Sequence, residues 1–114
     1  MARTANWIRA KRRLAILLRD DFTCAYCARD LRNAAAGECT LDHVKCVSKG
    51  GGNESSNLVC ACRNCNSSRQ DKPLRTWLRQ TGRDGATIVR IVENRRRRVM
   101  APHLAEAQRL IEGE

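Results

Sequence analysis

Two Cys-x-x-Cys pairs, Cys24/Cys27 and Cys62/Cys65, constrain this chain more than any other feature. Each pair can form a tight knuckle whose two sulfurs grip one metal, and two knuckles brought together make a closed tetrahedral site. Such a site has no open coordination position, so the expected ion is a structural Zn²⁺ that adds folding free energy and does no chemistry. With Cys39, Cys46 and Cys60 the cysteines number seven. An odd count with metal-ligand spacing argues for a reducing compartment, here expected to be cytoplasmic, and against a disulfide framework. The three left over read as small buried hydrophobes, although the run Cys60-Ala61-Cys62 leaves Cys60 open as a competing ligand. A thioredoxin-like redox pair would need a βαβ context that this sequence lacks.

The ion matters because the chain has only 114 residues, enough for one compact domain with a modest core. Lys and Arg number 22 against 12 Asp and Glu, a formal charge of +10 that favours a polyanionic partner such as nucleic acid. Aromatic residues make up only 4%, too few for the base-stacking platforms of single-strand binders. The expected partner is therefore double-stranded DNA, contacted through its backbone. No apolar run approaches the ~18 residues that span a bilayer, so no membrane partner is expected.

Three segments differ in composition. Residues 1–19 read as a basic amphipathic helix, with Trp7, Ala10, Leu14 and Leu17/Leu18 as its apolar stripe and Arg9, Lys11, Arg12, Arg13 and Arg19 on the other faces. Residues 20–80 hold every cysteine and most turn signals. Within them, β-capable stretches lie at Phe22–Tyr26 and Thr40–Val44, and helices are expected from about Arg63 and over Leu74–Gln80, the latter ended by Gly82. Residues 81–114 form a basic extension with a helix from about Pro102. There Thr87–Val92 suits a helix or a strand equally, and Arg95–Arg98 reads as a nucleic-acid contact or a solvated face.

The 34 residues between Cys27 and Cys62 exceed the ~15–20 of a compact zinc ribbon, so the clamp encloses a substantial insert. In and around it stand the phrases RDDFTCAYC, LDHV, GGNESSNLV and CRNCNSSR. In this order and spacing, over about half of the chain, they resemble the HNH (His-Asn-His) endonuclease family. The resemblance implies a small α+β fold, a ββα-metal core with a four-cysteine structural zinc, here flanked by N- and C-terminal helices. It also implies hydrolysis of DNA phosphodiester bonds to 5′-phosphate and 3′-hydroxyl ends. Small proteins of this kind serve phages or restriction and homing systems.

Residue by residue, the resemblance implies that Asp42 binds a single catalytic divalent ion and that His43 is the general base. Neutral imidazole suits removal of a proton from water near pH 7. Adjacent strand residues point to opposite faces, so a bulge or a strand end has to bring the two to one site. Asn57 matches the family's central Asn and would hold the loop and, through it, the imidazole. Asn66 stands at the position of the last His or Asn. Its amide oxygen, with the Asp42 carboxylate, favours Mg²⁺ or Mn²⁺. Some members carry a further His one helical turn on, where this chain has Gln70. Ala28 stands where the first knuckle often has Gly to permit positive φ.

Arg63 and Arg69 share a helix with Asn66, and Lys45 and Lys49 follow the Asp-His pair, so these four are the expected phosphate contacts. The alternative to an endonuclease is a non-catalytic zinc module that binds DNA with a decayed nuclease site.

Overall fold

The computed structural model describes the backbone of residues 2–113 and the side chains of residues 9–113. Helix α1 (Ala2–Arg19) leads through the first knuckle to strand β1 (Cys39–His43), and a loop with 3₁₀ turns at Val47–Lys49 and Ser55–Asn57 leads to strand β2 (Leu58–Cys62). Helices α2 (Arg63–Arg69), α3 (Leu74–Gln80), α4 (Gly85–Arg97) and α5 (Ala101–Ile111) complete the chain. The fold is a small α+β unit built on one two-stranded sheet. Among the described residues no helix is long and apolar enough to cross a membrane.

β1 and β2 pair antiparallel from Cys39↔Cys62 to His43↔Leu58 with no bulge, and the Val44 N–H extends the ladder by donating to the Asn57 carbonyl. Every residue of β2 is buried, so it lacks the alternation that marks a half-exposed strand. β2 passes directly into α2, where Cys62 is both the last strand residue and the helix N-cap, its sulfur accepting from the Cys65 N–H. The second knuckle thus opens the helix.

Phe22–Tyr26 does not form a strand. Asp21 and Phe22 adopt positive φ values of 53° and 52°, which break an extended run, and only the isolated bridge Thr23↔Asp30 survives. The undecided stretch near Thr87–Val92 is helical. Asp84 caps it by accepting from the Thr87 N–H and hydroxyl, a local bond that a β-branched run cannot outweigh.

The core gathers Leu17, Tyr26, Leu31, Val59, Trp77, Leu78, Ile88 and Val92 around the knuckle cysteines. Tyr26 and Trp77 meet edge to face at 5.2 Å. The buried stripe of α1 differs from the expected one. Ala15, Ile16, Leu17 and Arg19 are buried, Ala10 is exposed and Leu14 is intermediate, while the Trp7 side chain falls outside the described residues. Among the described residues it is the last turns of α1 that enter the core, packed by α5 on one side and β2 on another, so the adjacent residues Ala15, Ile16 and Leu17 are all covered.

Buried arginines join these layers. Arg19 pairs with Asp20 at 2.6 Å and donates to the Leu58 and Ser55 carbonyls, while Asp20 accepts from the Cys60 N–H. In the arginine run, Arg95 donates to the Thr23 carbonyl, Arg96 to that of Ser56 and Arg98 to that of Arg19. Those three residues fasten the C-terminal end of α4 to α1 and to the site-bearing loops. The run is therefore largely an internal clamp, although Arg97 and Arg98 remain exposed.

Candidate active site and metal centre

The sulfurs of Cys24, Cys27, Cys62 and Cys65 all lie within 4.8 Å of one another. Cys60 is outside this group, and its sulfur sits 4.0 Å from that of Cys39. Each knuckle directs a backbone N–H at a sulfur, Tyr26 to Cys24 and Cys65 to Cys62, both at 3.4 Å. Arg83, stacked 4.6 Å over the Trp77 ring, donates to the Cys65 sulfur at 3.2 Å. Burial pushes the Cys65 thiol up to about 12 and raises Cys24 as well. Burial raises Cys62 too, but the Cys65 N–H and neighbouring thiols outweigh it and hold Cys62 below its ordinary value. Four soft donors at one point, with N–H groups aimed at sulfur, fit a tetrahedral thiophilic cation that would compensate the charge burial opposes. The first knuckle closes with Ala28 at a φ of 65°, a left-handed turn costing a non-glycine residue roughly 1–2 kcal/mol.

Asp42 and His43 leave β1 on opposite faces, as strand geometry requires. Asp42 points inward and is buried. Its Oδ2 accepts from the Tyr26 hydroxyl and from Arg69 at 2.6 Å. Burial first, then the Asp42 charge, holds the Tyr26 hydroxyl well above its usual pKa, so it remains a donor. His43, the last residue of β1, faces α1, and its Nε2 lies 2.7 Å from the Asn53 Oδ1. The strand end nevertheless brings both residues to one open cleft of about 270 Å³, lined by Asp42, His43, Ser48, Asn66, Gln70 and Asp71 among others.

Asn66 donates from Nδ2 to the Thr40 hydroxyl at 3.0 Å and to the Leu41 carbonyl at 3.2 Å. These bonds fix the amide and leave its oxygen as the remaining donor atom. Among the described residues neither the Asn66 oxygen nor the Asp42 Oδ1 accepts a hydrogen bond. Two hard oxygens bordering one cleft, with the Asp71 carboxylate on its wall, fit a divalent cation of the Mg²⁺ or Mn²⁺ kind. Gln70 also lines the cleft, but α2 has already ended there, with Gln70 at a φ of 55°.

The Asn57 side chain makes no hydrogen bond to His43. Buried beneath the loop, it accepts from the Lys45 N–H at 2.8 Å and donates to the carbonyls of Lys45 at 3.0 Å and Gly52 at 2.9 Å. Asn53, next to Gly52, makes the contact to the imidazole. Gly51 is confined by the same loop, since a β-carbon there would fall 1.8 Å from the Lys45 carbonyl oxygen. Asn57→Ala is expected to lower stability by about 2 kcal/mol through the unpaired backbone groups it leaves. A thermal melt reads this, and an unchanged midpoint would show that the loop is held by other contacts.

The expected phosphate contacts divide. Lys45 and Lys49 are exposed on the loop beside the cleft. Arg63 is exposed on α2 but lines a separate cleft with Glu38, Asn64 and Ser67. Arg69 is corrected: its side chain is fully buried and donates to Asp42, to the His43 carbonyl at 2.9 Å, to Val44 at 2.5 Å and to Lys72 at 3.1 Å. Four inward acceptors hold this guanidinium, and it faces no solvent. Sequence reasoning also missed Tyr26 and Asn53. Their only signal was position, Tyr26 inside the first knuckle and Asn53 at the end of the Gly-rich loop.

The HNH endonuclease family model matches residues 24–72. The CRISPR-associated endonuclease Cas9 of Corynebacterium diphtheriae is 30% identical over 79 residues, covering 68% of this chain and 7% of that protein. The crystal structure of the Type II-C Cas9 enzyme from Actinomyces naeslundii superposes with a TM-score of 0.55 at 21% identity, covering 90% of this chain and 16% of that one. That second likeness is one of fold, and the chain spans only a small part of either relative. The matched span contains both knuckles, both strands and α2, so it is over this segment, residues 24–72, that the chain is similar to the HNH endonuclease family.

Proposed function

We propose that this protein is a metal-dependent DNA endonuclease, with His43 as general base and a single divalent ion, Mg²⁺ or Mn²⁺, held by Asp42 and Asn66. The observation that carries this reading is the convergence of Asp42, His43 and Asn66 on one open cleft. With Nε2 donating to Asn53, the Nδ1 lone pair of His43 is left to take a proton from the attacking water. The water oxygen bonds to phosphorus, the bond to the 3′ oxygen breaks, and that oxygen takes a proton from solvent, leaving 5′-phosphate and 3′-hydroxyl ends. An ion held by Asp42 and Asn66 would supply positive charge to offset that developing on the leaving oxygen. Asn57 holds the loop that presents Asn53, and Lys45, Lys49 and Arg63 offer charge to flanking phosphates of duplex DNA. Zn²⁺ in the four-cysteine site is structural.

Supercoiled plasmid incubated with the protein in Mg²⁺, Mn²⁺, Zn²⁺ or EDTA, beside His43→Ala, tests this. Nicking is expected in Mg²⁺ or Mn²⁺, absent when no divalent ion is added, lost in EDTA through both metal sites, and reduced about 10²–10⁴-fold in the variant. Wild-type-like nicking by His43→Ala would reject the base.

One observation favours a second reading, a zinc-containing DNA-binding module without catalysis. The Asp42 carboxylate already has a buried cation, Arg69, which weakens its pull on a divalent ion. DNA binding indifferent to Mg²⁺ and Mn²⁺, with no nicking, would select that reading.

A further inference from the structure

His43 borders two clefts. Beyond the one shared with Asp42 and Asn66, a second of about 280 Å³ runs between α1 and the sheet, lined by Arg9, Arg12, Arg13, Ile16, Leu41, His43, Asn53 and Leu58. Its two walls differ in chemistry. Arg9, Arg12 and Arg13 fall three and four positions apart on α1, so they share one helix face. Opposite them stand the His43 imidazole and its partner Asn53, with aliphatic Leu41 and Leu58 between. Arg9 and Arg13 are exposed and Arg12 is intermediate, so the guanidinium wall is open to a ligand. Arg13 is also held in place, donating to the Cys39 carbonyl at 2.7 Å.

We infer that this cleft seats the backbone of the DNA strand that is cut, with Arg9, Arg12 and Arg13 on consecutive phosphates to one side of the scissile group. The inference rests on the proposed nuclease reading and adds to it where the strand lies. Arg9 and Arg13 are four residues apart, about 6 Å along the helix axis, so flexible guanidiniums there reach neighbouring phosphates. The aliphatic strip beneath suits the apolar faces of the sugars. Because His43 lies on the boundary, a strand in this cleft presents one phosphate to the imidazole while the oxygens of Asp42 and Asn66 lie on its far side. No acidic side chain lines the cleft among the described residues, so nothing there repels a polyanion.

Three versions of the 114-residue chain test it: wild type, Arg9→Ala/Arg12→Ala, and the control Arg75→Ala/Arg79→Ala. The control removes the same charge from exposed positions that line a different cleft. Binding to a fluorescein-labelled 20-base-pair duplex is followed by anisotropy without added Mg²⁺ or Mn²⁺ at several salt concentrations, and nicking is followed separately in Mg²⁺. Each duplex phosphate contact contributes about 0.9 to the slope of log K against log salt. The groove variant is therefore expected to lose roughly 2 from that slope, to bind at least about tenfold more weakly at 150 mM salt, and to nick more slowly at limiting DNA. The control is expected to keep most of its slope. Equal losses in both variants, or none in the groove variant, would overturn the inference. If wild type nicks and the groove variant binds and nicks like it, the inference fails alone. If the groove variant loses binding but wild type never nicks, the nuclease reading fails alone.

Discussion

Removing the metal from this protein is expected to unfold it. A strong chelator, or Cys65→Ser, should abolish the cooperative thermal transition and leave the far-ultraviolet circular dichroism of a largely disordered chain. The four sulfurs join the loop before β1 to the β2–α2 junction, and the core that packs around Cys24, Cys62 and Cys65 is small. Structural Zn²⁺ in finger peptides binds with about 10–16 kcal/mol, whereas a whole domain is stable by about 5–15 kcal/mol. Loss of the ion is thus comparable with the entire stability. Cys65 is the most informative position, since its N–H also caps α2 through Cys62 and its sulfur receives Arg83. Cys39→Ala is the control, because Cys39 lies outside the cluster and should leave one zinc per chain by atomic absorption. A chelated protein that melts like the untreated one would refute the structural metal.

Arg69→Met is expected to be the most damaging single change outside the knuckles. It strips the buried partner from Asp42 and removes donors from the carbonyls of His43, Val44 and Lys72. Breaking a buried pair from one side costs about 3–5 kcal/mol, because the remaining charge is left uncompensated. In a domain of this size that lowers the melting midpoint by roughly 10–25 °C. Arg69→Lys should recover only part of the loss, since an ammonium cannot span acceptors fixed for a planar fork. Asp42→Asn should be milder, as it removes the charge and keeps an acceptor for Arg69 and Tyr26. Melts of the three variants check the order, and a shift of only a few degrees for Arg69→Met would show that the pair is not what holds the end of β1.

The knuckles, α2, α3 and α5 were legible because each rests on local chemistry: ligand spacing, a capping residue, a terminating glycine, a proline in the first turn. β2 was not. Its Cys60-Ala61-Cys62 run has weak strand propensity, and burial on both faces erases the alternation by which strands are recognised. Arg69 misled for a related reason. An arginine at a helix end reads as a surface cation, and only the fold shows that Asp42 and three carbonyls converge there. The candidate site divided in the same way. The residues bordering the cleft could be named from motif order, whereas Tyr26 and Asn53, which orient two of them, became visible only when strand direction and loop path were known. In α1 the periodic stripe failed because the helix end is enclosed from more than one side.

The two knuckles also bear on how quickly the chain finds its fold. With one ion bound by all four cysteines, Cys27 would be tied to Cys62, and β1 and the loop before β2 would lie inside a closed ring. The entropy of closing a loop rises only with the logarithm of its length. Once the ring exists, β1 and β2 search for their register inside a confined segment. The ladder from Cys39↔Cys62 to His43↔Leu58 then zips from its ring-closing end toward the imidazole. On that path ion capture would come before strand pairing, and the His43 end of the ladder would form last.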